Sequence, residues 1–88
     1  MEIEFLDKFS RDLDRVNDVS AKKAVGKIIT MIQNANSLHE LPNIKKLSGF
    51  KSAFRIRIGN YRIGIFIAGN VVQFARIVHR KDIYKVFP

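Results

Sequence analysis

The sequence predicts an α+β domain in which a helical pair covers one face of an antiparallel sheet. Three observations predict it. Apolar residues recur at three- and four-residue spacing through the first third of the chain. After residue 44 they recur at every second position. The change of period falls at a turn-rich stretch, Asn34 to Asn43, that contains Pro42. Helix, helix and then a meander of strands is the order of a two-layer α+β sandwich. With 88 residues and a hydrophobic content of 47% the chain makes one domain, residues 1–88. At this size roughly 60–65% of the unfolded surface can be buried.

The first helix is expected over about residues 5–16, where Leu6, Phe9, Leu13 and Val16 form the stripe and Asp7, Lys8, Arg11, Asp12 and Asp14 lie between them. Asn17-Asp18-Val19-Ser20 breaks it, and either Asp18 or Ser20 can cap the next helix. That helix runs over about residues 20–35 on Ala21, Ala24, Val25, Ile28, Ile29 and Ile32. The short connection makes the two an antiparallel hairpin. Four strands follow, Ile44–Leu47, Ala53–Ile58, Tyr61–Ala68 and Val71–Val78, with Ser48-Gly49, Gly59-Asn60 and Gly69-Asn70 at the turns. His79–Phe87 is left as a short tail with room for one helical turn. The helices need an apolar sheet face, which Phe54, Ile56, Ile58, Ile63, Ile65 and Ile67 supply. Arg55, Arg57 and Arg62 then stand on the opposite face, which no remaining helix is expected to cover. Arg76 shares parity with Val72, Phe74 and Val78, and a place at a sheet edge is the only one this pattern offers it.

Charge divides the chain. The net charge is +8, yet residues 1–42 hold six Lys/Arg against seven Asp/Glu, while residues 43–88 hold ten against Asp82 alone. Such clustering is the footprint of an acidic partner, nucleic acid above all, or else a solubilising surface. Two guanidinium groups side by side on a strand repel each other and gain nothing from a core. Other classes are disfavoured. There is no cysteine for disulfides or thiolate metal sites, and His39 and His79 lie forty residues apart, so no metal is expected. Neither a Gly-rich phosphate loop nor a metalloprotease motif occurs, and nothing implies a cofactor. The start, Met1-Glu2-Ile3-Glu4-Phe5, lacks the apolar run of a signal peptide, and no segment approaches the roughly 20 apolar residues of a membrane span. A soluble cytoplasmic protein is the expectation.

Three signatures lie in order along the basic half. Leu47-Ser48-Gly49 gives L-x-G before a strand, Arg57-Ile58-Gly59-Asn60-Tyr61-Arg62 gives R-x-G-x-Y-R across a hairpin, and His79-Arg80-Lys81-Asp82-Ile83-Tyr84 gives HR-x-x-x-Y near the C-terminus. In this order and length the chain resembles the RelE/ParE-superfamily toxins of bacterial type II toxin–antitoxin systems, over nearly its whole length. The resemblance implies a RelE-like fold and a cognate antitoxin partner. In the RelE branch it implies metal-independent cleavage of mRNA in the ribosomal A site, inhibiting translation. In the ParE branch it implies poisoning of DNA gyrase without nuclease activity. The RelE roles fall on Arg55 and Arg57 of one strand, Arg62 of the next, Arg80 and Tyr84, and the fit at all five favours that branch.

Arg57, Arg62, Arg80, Tyr84 and His79 are therefore the candidate catalytic residues, with Arg55, Lys46, Lys51 and Lys81 as RNA contacts. The expected partners are the antitoxin and the ribosome with its mRNA, with no membrane and with DNA reached only through the antitoxin. Archetypal RelE has lysines where this chain has Arg55 and Arg57, and arginine is a poor general base. His79 is the only nearby group with a suitable pKa. Each residue also has a plainer use. Arg55 and Arg57 suit antitoxin docking or a solvated strand, Arg62 an ion pair, and Arg80 an exposed pair with Asp82. Tyr84 suits a sheet edge, and His79 a structural role.

Overall fold

A computed structural model describes residues 1–88 as an α+β fold of the expected class, with one strand more than the sequence pattern suggests. In chain order the elements are β1 (Glu2–Phe5), α1 (Asp7–Arg15), α2 (Val19–Asn34), β2 (Ile44–Lys46), β3 (Ala53–Ile58), β4 (Tyr61–Ala68), β5 (Val71–His79) and α3 (Ile83–Val86). The sheet order is β1-β5-β4-β3-β2, antiparallel except that β1 runs parallel to β5. The added strand is β1, which pairs Glu2 with Val71 through to Phe5 with Phe74. Its Glu-Ile-Glu-Phe alternation is a strand period, and the helix that the apolar stripe would start at residue 5 begins at Asp7 instead.

Helix α2 starts where Asp18 accepts a hydrogen bond from the Ala21 N–H at 3.1 Å, the expected cap. Its buried residues, Ala21, Val25, Ile28 and Ile32, meet Phe9 and Val16 beside α1 and the inward-facing Ile56, Ile58, Ile63, Ile65, Val72, Phe74 and Ile77 of the sheet. Phe9 packs edge-on against Phe74 with centroids 5.2 Å apart. This is the main core. Helix α1 lies along β5 and α2 along β1 and β3.

Two features of β5 lie beyond simple alternation. A register shift opposite Gly64/Ile65 inserts one extra residue, so that Phe74 and Ile77 both face the helices. Arg76, the residue without a place in the sequence pattern, turns at this bulge toward α1. Its Nε donates to Asp12 Oδ2 at 2.7 Å and its Nη2 to Asp12 Oδ1 at 3.1 Å. The Ile77 N–H also donates to Asp12 Oδ2, at 3.1 Å. A helix carboxylate thus takes the place of a strand partner where β1 has ended, and holds Arg76 in a bidentate pair that keeps its pKa raised.

The second correction concerns the face opposite the helices, which is not left bare. The tail crosses it, and Ile83 and Phe87 build a second small core with Leu47, Ala53 and Ala75, flanked by Leu6, Phe66 and Val78. The Phe87 ring lies directly on Gly64, where a Cβ would stand 2.5 Å from it, and 4.9 Å from the Phe66 ring. Only glycine leaves that space.

Candidate active site

The β3–β4 hairpin sets the geometry of the remaining open part of this face. Gly59, at φ +53°, makes the tight turn, which pairs Arg57 with Arg62 and Arg55 with Gly64. Cross-strand partners share a face, so Arg55, Arg57 and Arg62 project together, away from the main core. Arg62 is held back over the turn, its Nη1 donating to the Gly59 and Tyr61 carbonyls at 2.8 and 2.9 Å. The Arg80 N–H donates to the Asn60 carbonyl at 2.8 Å, so the end of β5 is tied to the same turn. Four guanidinium groups thus surround one corner of the sheet.

No carboxylate neutralises them. The ion pairs of the chain are Arg76 with Asp12 and Lys85 with Asp82, and neither involves the cluster. The Arg62 pKa is lowered by burial first, then by Arg55, Arg57 and Arg80, while Tyr84 acts in the opposite sense. Like charges gathered without an acid cost the fold stability, and such arrangements concentrate at functional sites. Arg55 is half-buried, and its Nε is buried with no hydrogen-bond partner. Tyr84 extends from α3 with 66% of its surface exposed.

The other sequence candidates lie elsewhere. His79 pairs with Tyr61 across β4 and β5, their rings 6.0 Å apart, and Tyr61 packs against the main core. The His79 ring therefore lies on the helix side of the sheet, away from the arginines, where its Nδ1 accepts from the Lys81 N–H at 3.2 Å. Lys46 pairs with Phe54, so the register places it on the helix side of the sheet and outside the arginine row. Lys45 pairs with Arg55 and extends the basic row. No signal in the sequence fixes this choice, because alternation is not carried through the turn between β2 and β3. Lys51 and Lys81 are exposed in turns at either end of the face. No three His, Cys, Asp or Glu side chains gather in the way a metal site requires.

The site is thus a helix-backed sheet whose far face gathers arginines, closed by a C-terminal turn that carries a tyrosine. Residues 3–84 match the family described as the ParE toxin of type II toxin–antitoxin systems, and the chain belongs to this RelE/ParE superfamily of toxins. Its relatives place it in the RelE branch. It is 44% identical over 89 residues to Toxin RelE3 of Methanocaldococcus jannaschii, spanning all of both chains. Its structure is similar to a chain of the RelB-RelE antitoxin-toxin complex from Methanococcus jannaschii, with a TM-score of 0.84 at 42% identity, covering 97% of this chain and 99% of that one. The fold alone is shared with the archaeal RelE-RelB complex from Pyrococcus horikoshii OT3, at TM-score 0.73 and 14% identity, covering 90% and 93% of the two chains. No helix is long and apolar enough to cross a membrane.

Proposed function

We propose that this toxin is a ribosome-dependent mRNA endoribonuclease of the cytoplasm, acting in the A site and neutralised by a cognate antitoxin. The observation that carries the reading is the convergence of Arg55, Arg57, Arg62 and Arg80, with Tyr84 beside them and no acid among them. Such a corner suits a phosphodiester whose negative charge grows during reaction. The substrate's own 2′-hydroxyl oxygen attacks the adjacent phosphorus as its proton passes to water, and the bond to the 5′-oxygen breaks as that oxygen takes a proton from water. The products are a 2′,3′-cyclic phosphate and a 5′-hydroxyl.

Arg57 and Arg62 bind the non-bridging oxygens, Arg80 stands by the leaving oxygen, and Arg55 with Lys45 orients the backbone. Tyr84 stacks on a base or hydrogen-bonds the phosphate. One such preplaced donor is worth about 10²–10³ in rate. The chemistry is electrostatic, because arginine gives up its proton too reluctantly to serve as base. The partner reading is supported by the RelB-RelE complexes among the similar structures.

The test is purified protein on programmed ribosomes with end-labelled mRNA, mapped by primer extension beside Arg62→Ala. Cuts inside the A-site codon, lost in the variant, are the expected result. A second reading, gyrase inhibition, is favoured by the ParE description of the matching family. Uncut mRNA together with inhibited supercoiling by purified gyrase would decide for it.

A further inference from the structure

The tail does more than cover apolar surface, and its placement relative to the arginines shows how. Residues at i, i+2 and i+4 of a strand share a face, so Arg62, Gly64 and Phe66 form one row along β4. The Phe87 ring occupies the middle of that row, against Gly64 and Phe66. It is therefore about 7 Å along the strand from Arg62, at roughly 3.3 Å per residue. Gly64 is also the cross-strand partner of Arg55, and Val78, which flanks the tail core, is the partner of Arg62. The tail core thus touches the arginine corner on two sides.

The turn that carries Tyr84 cannot hold itself in place. Four residues are too few for a helix to be stable alone in water, and α3 spans only Ile83–Val86. Its attachments to the sheet are the apolar anchors Ile83 and Phe87, 1% and 3% exposed, and, at its start, the Asp82 N–H donating to the His79 carbonyl at 2.8 Å. Tyr84 points to solvent between them and makes no hydrogen bond of its own that could position it.

We propose that Phe87, seated on Gly64, is the positioning residue that holds Tyr84 at the arginine corner. This role rests on the nuclease reading, in which Tyr84 contacts the RNA, and adds to it the residue that sets the tyrosine's place. Gly64 is the receptor of the anchor, a glycine kept free of a side chain so that a ring can lie on the strand. The effect of Tyr84 on the Arg62 pKa agrees with a tyrosine held close to that guanidinium.

The experiment uses the full chain with Phe87→Ala, Phe87→Leu, Gly64→Ala, Tyr84→Phe and the Tyr84→Phe/Phe87→Ala double variant on programmed ribosomes. Phe87→Ala and Gly64→Ala are expected to lower kcat, by up to about 10² for a displaced group, with KM within about twofold because the arginines remain. Phe87→Leu, which refills the notch with an apolar side chain, should recover most of kcat. In the Tyr84→Phe background Phe87→Ala should cost little more, as expected of residues that act through one another. A full additional loss in the double variant, or unchanged kcat in both Phe87→Ala and Gly64→Ala, overturns the proposal.

A second readout does not need activity. In NMR spectra the Tyr84 ring signals should move to unstructured positions in Phe87→Ala and Gly64→Ala, while the methyl signals of Ile63 and Ile65 stay in place. Uncut mRNA with wild-type protein would remove the nuclease reading, and the Tyr84 signals would then decide the positioning role alone. Unmoved Tyr84 signals overturn it.

Discussion

The two faces of the sheet obey different rules. On the helix side, side chains interlock and the one buried carboxylate, Asp12, accepts three hydrogen bonds. On the other side, a small apolar cluster from the tail shares the surface with arginines that have no acid to pair with. The first face gains free energy from almost everything it contains. The second spends some of it to keep cations together. On the proposed reading stability and function are thus separated by the thickness of one strand, and neighbouring residues of β4 stand on the two sides: Ile63 is fully buried and Arg62 is half-open.

The sharpest way to break this contrast is to substitute those two neighbours. Ile63→Ala should cost about 3 kcal/mol, within the range for truncating a fully buried isoleucine. For a domain of this size that lowers Tm by on the order of 15 °C, which a thermal melt followed by circular dichroism will show. Arg62→Ala should lower mRNA cleavage by about 10²–10³, while its melting point stays near wild type because relief of like-charge repulsion offsets two lost hydrogen bonds, one to the exposed Gly59 carbonyl and one to the part-buried Tyr61 carbonyl. A variant that fell equally in Tm and activity at both positions would dissolve the distinction.

Much of the helix-side face was legible in the sequence, because burial on one side imprints a period that needs no knowledge of partners. The arginine corner was legible too, since alternation alone put Arg55 and Arg57 together and the Gly59-Asn60 turn brought Arg62 across. What escaped depended on contacts distant in sequence. The Glu2–Phe5 strand finds its partner at Val71–Phe74, and a parallel pairing leaves no local turn to announce it. The bulge that turns Arg76 toward Asp12 breaks parity within a strand. Gly64 reads as an ordinary strand glycine until Phe87 is seen lying on it. Which lysine of the Lys45-Lys46 pair stands in the arginine row depends on the register of β2 against β3, which the sequence does not give.

Asp12 tests the helix side at its one charged point. Asp12→Asn keeps the shape but breaks the bidentate pair, leaving Arg76, 20% exposed, without its counterion. Losing one partner of a buried pair costs about 3 kcal/mol or more, less where water still reaches the other charge. About 2 kcal/mol in a urea titration is therefore expected, with cleavage changed little at temperatures where the variant stays folded. A smaller effect belongs to the other face. Lys45→Ala should weaken binding to single-stranded RNA and reduce the salt slope by about 0.7, the share of one phosphate contact. Lys46→Ala should leave the slope unchanged. Equal losses at the two lysines would mean that the register of β2 does not decide which lysine meets RNA.

The smallest effect sets the arginine corner against Glu40, which ends the short 3-10 turn Leu38–Glu40 between α2 and β2. Glu40 accepts hydrogen bonds from the Ser37 and Asn36 N–H groups, and these hold its pKa below the ordinary 4.5. A carboxyl with a depressed folded pKa adds stability that is present above its unfolded value and lost as pH falls through the folded one. The Tm gap between wild type and Glu40→Gln should therefore be open at pH 7 and close as the pH drops below 4.5. The arginine corner behaves in the opposite way. Arg62 is a cation whose pKa is lowered in the fold, so its charge costs stability at every pH below that pKa. Acid leaves the cost in place, and only a very alkaline solution or removal of a guanidinium relieves it. An Arg57→Ala variant should accordingly keep a constant Tm offset from wild type between pH 4 and 8, never below it by more than about 0.5 kcal/mol in equivalent stability. An offset that varied with pH over that interval would reveal an acid pairing with Arg57, and the two faces would then be less different in kind than their charges imply.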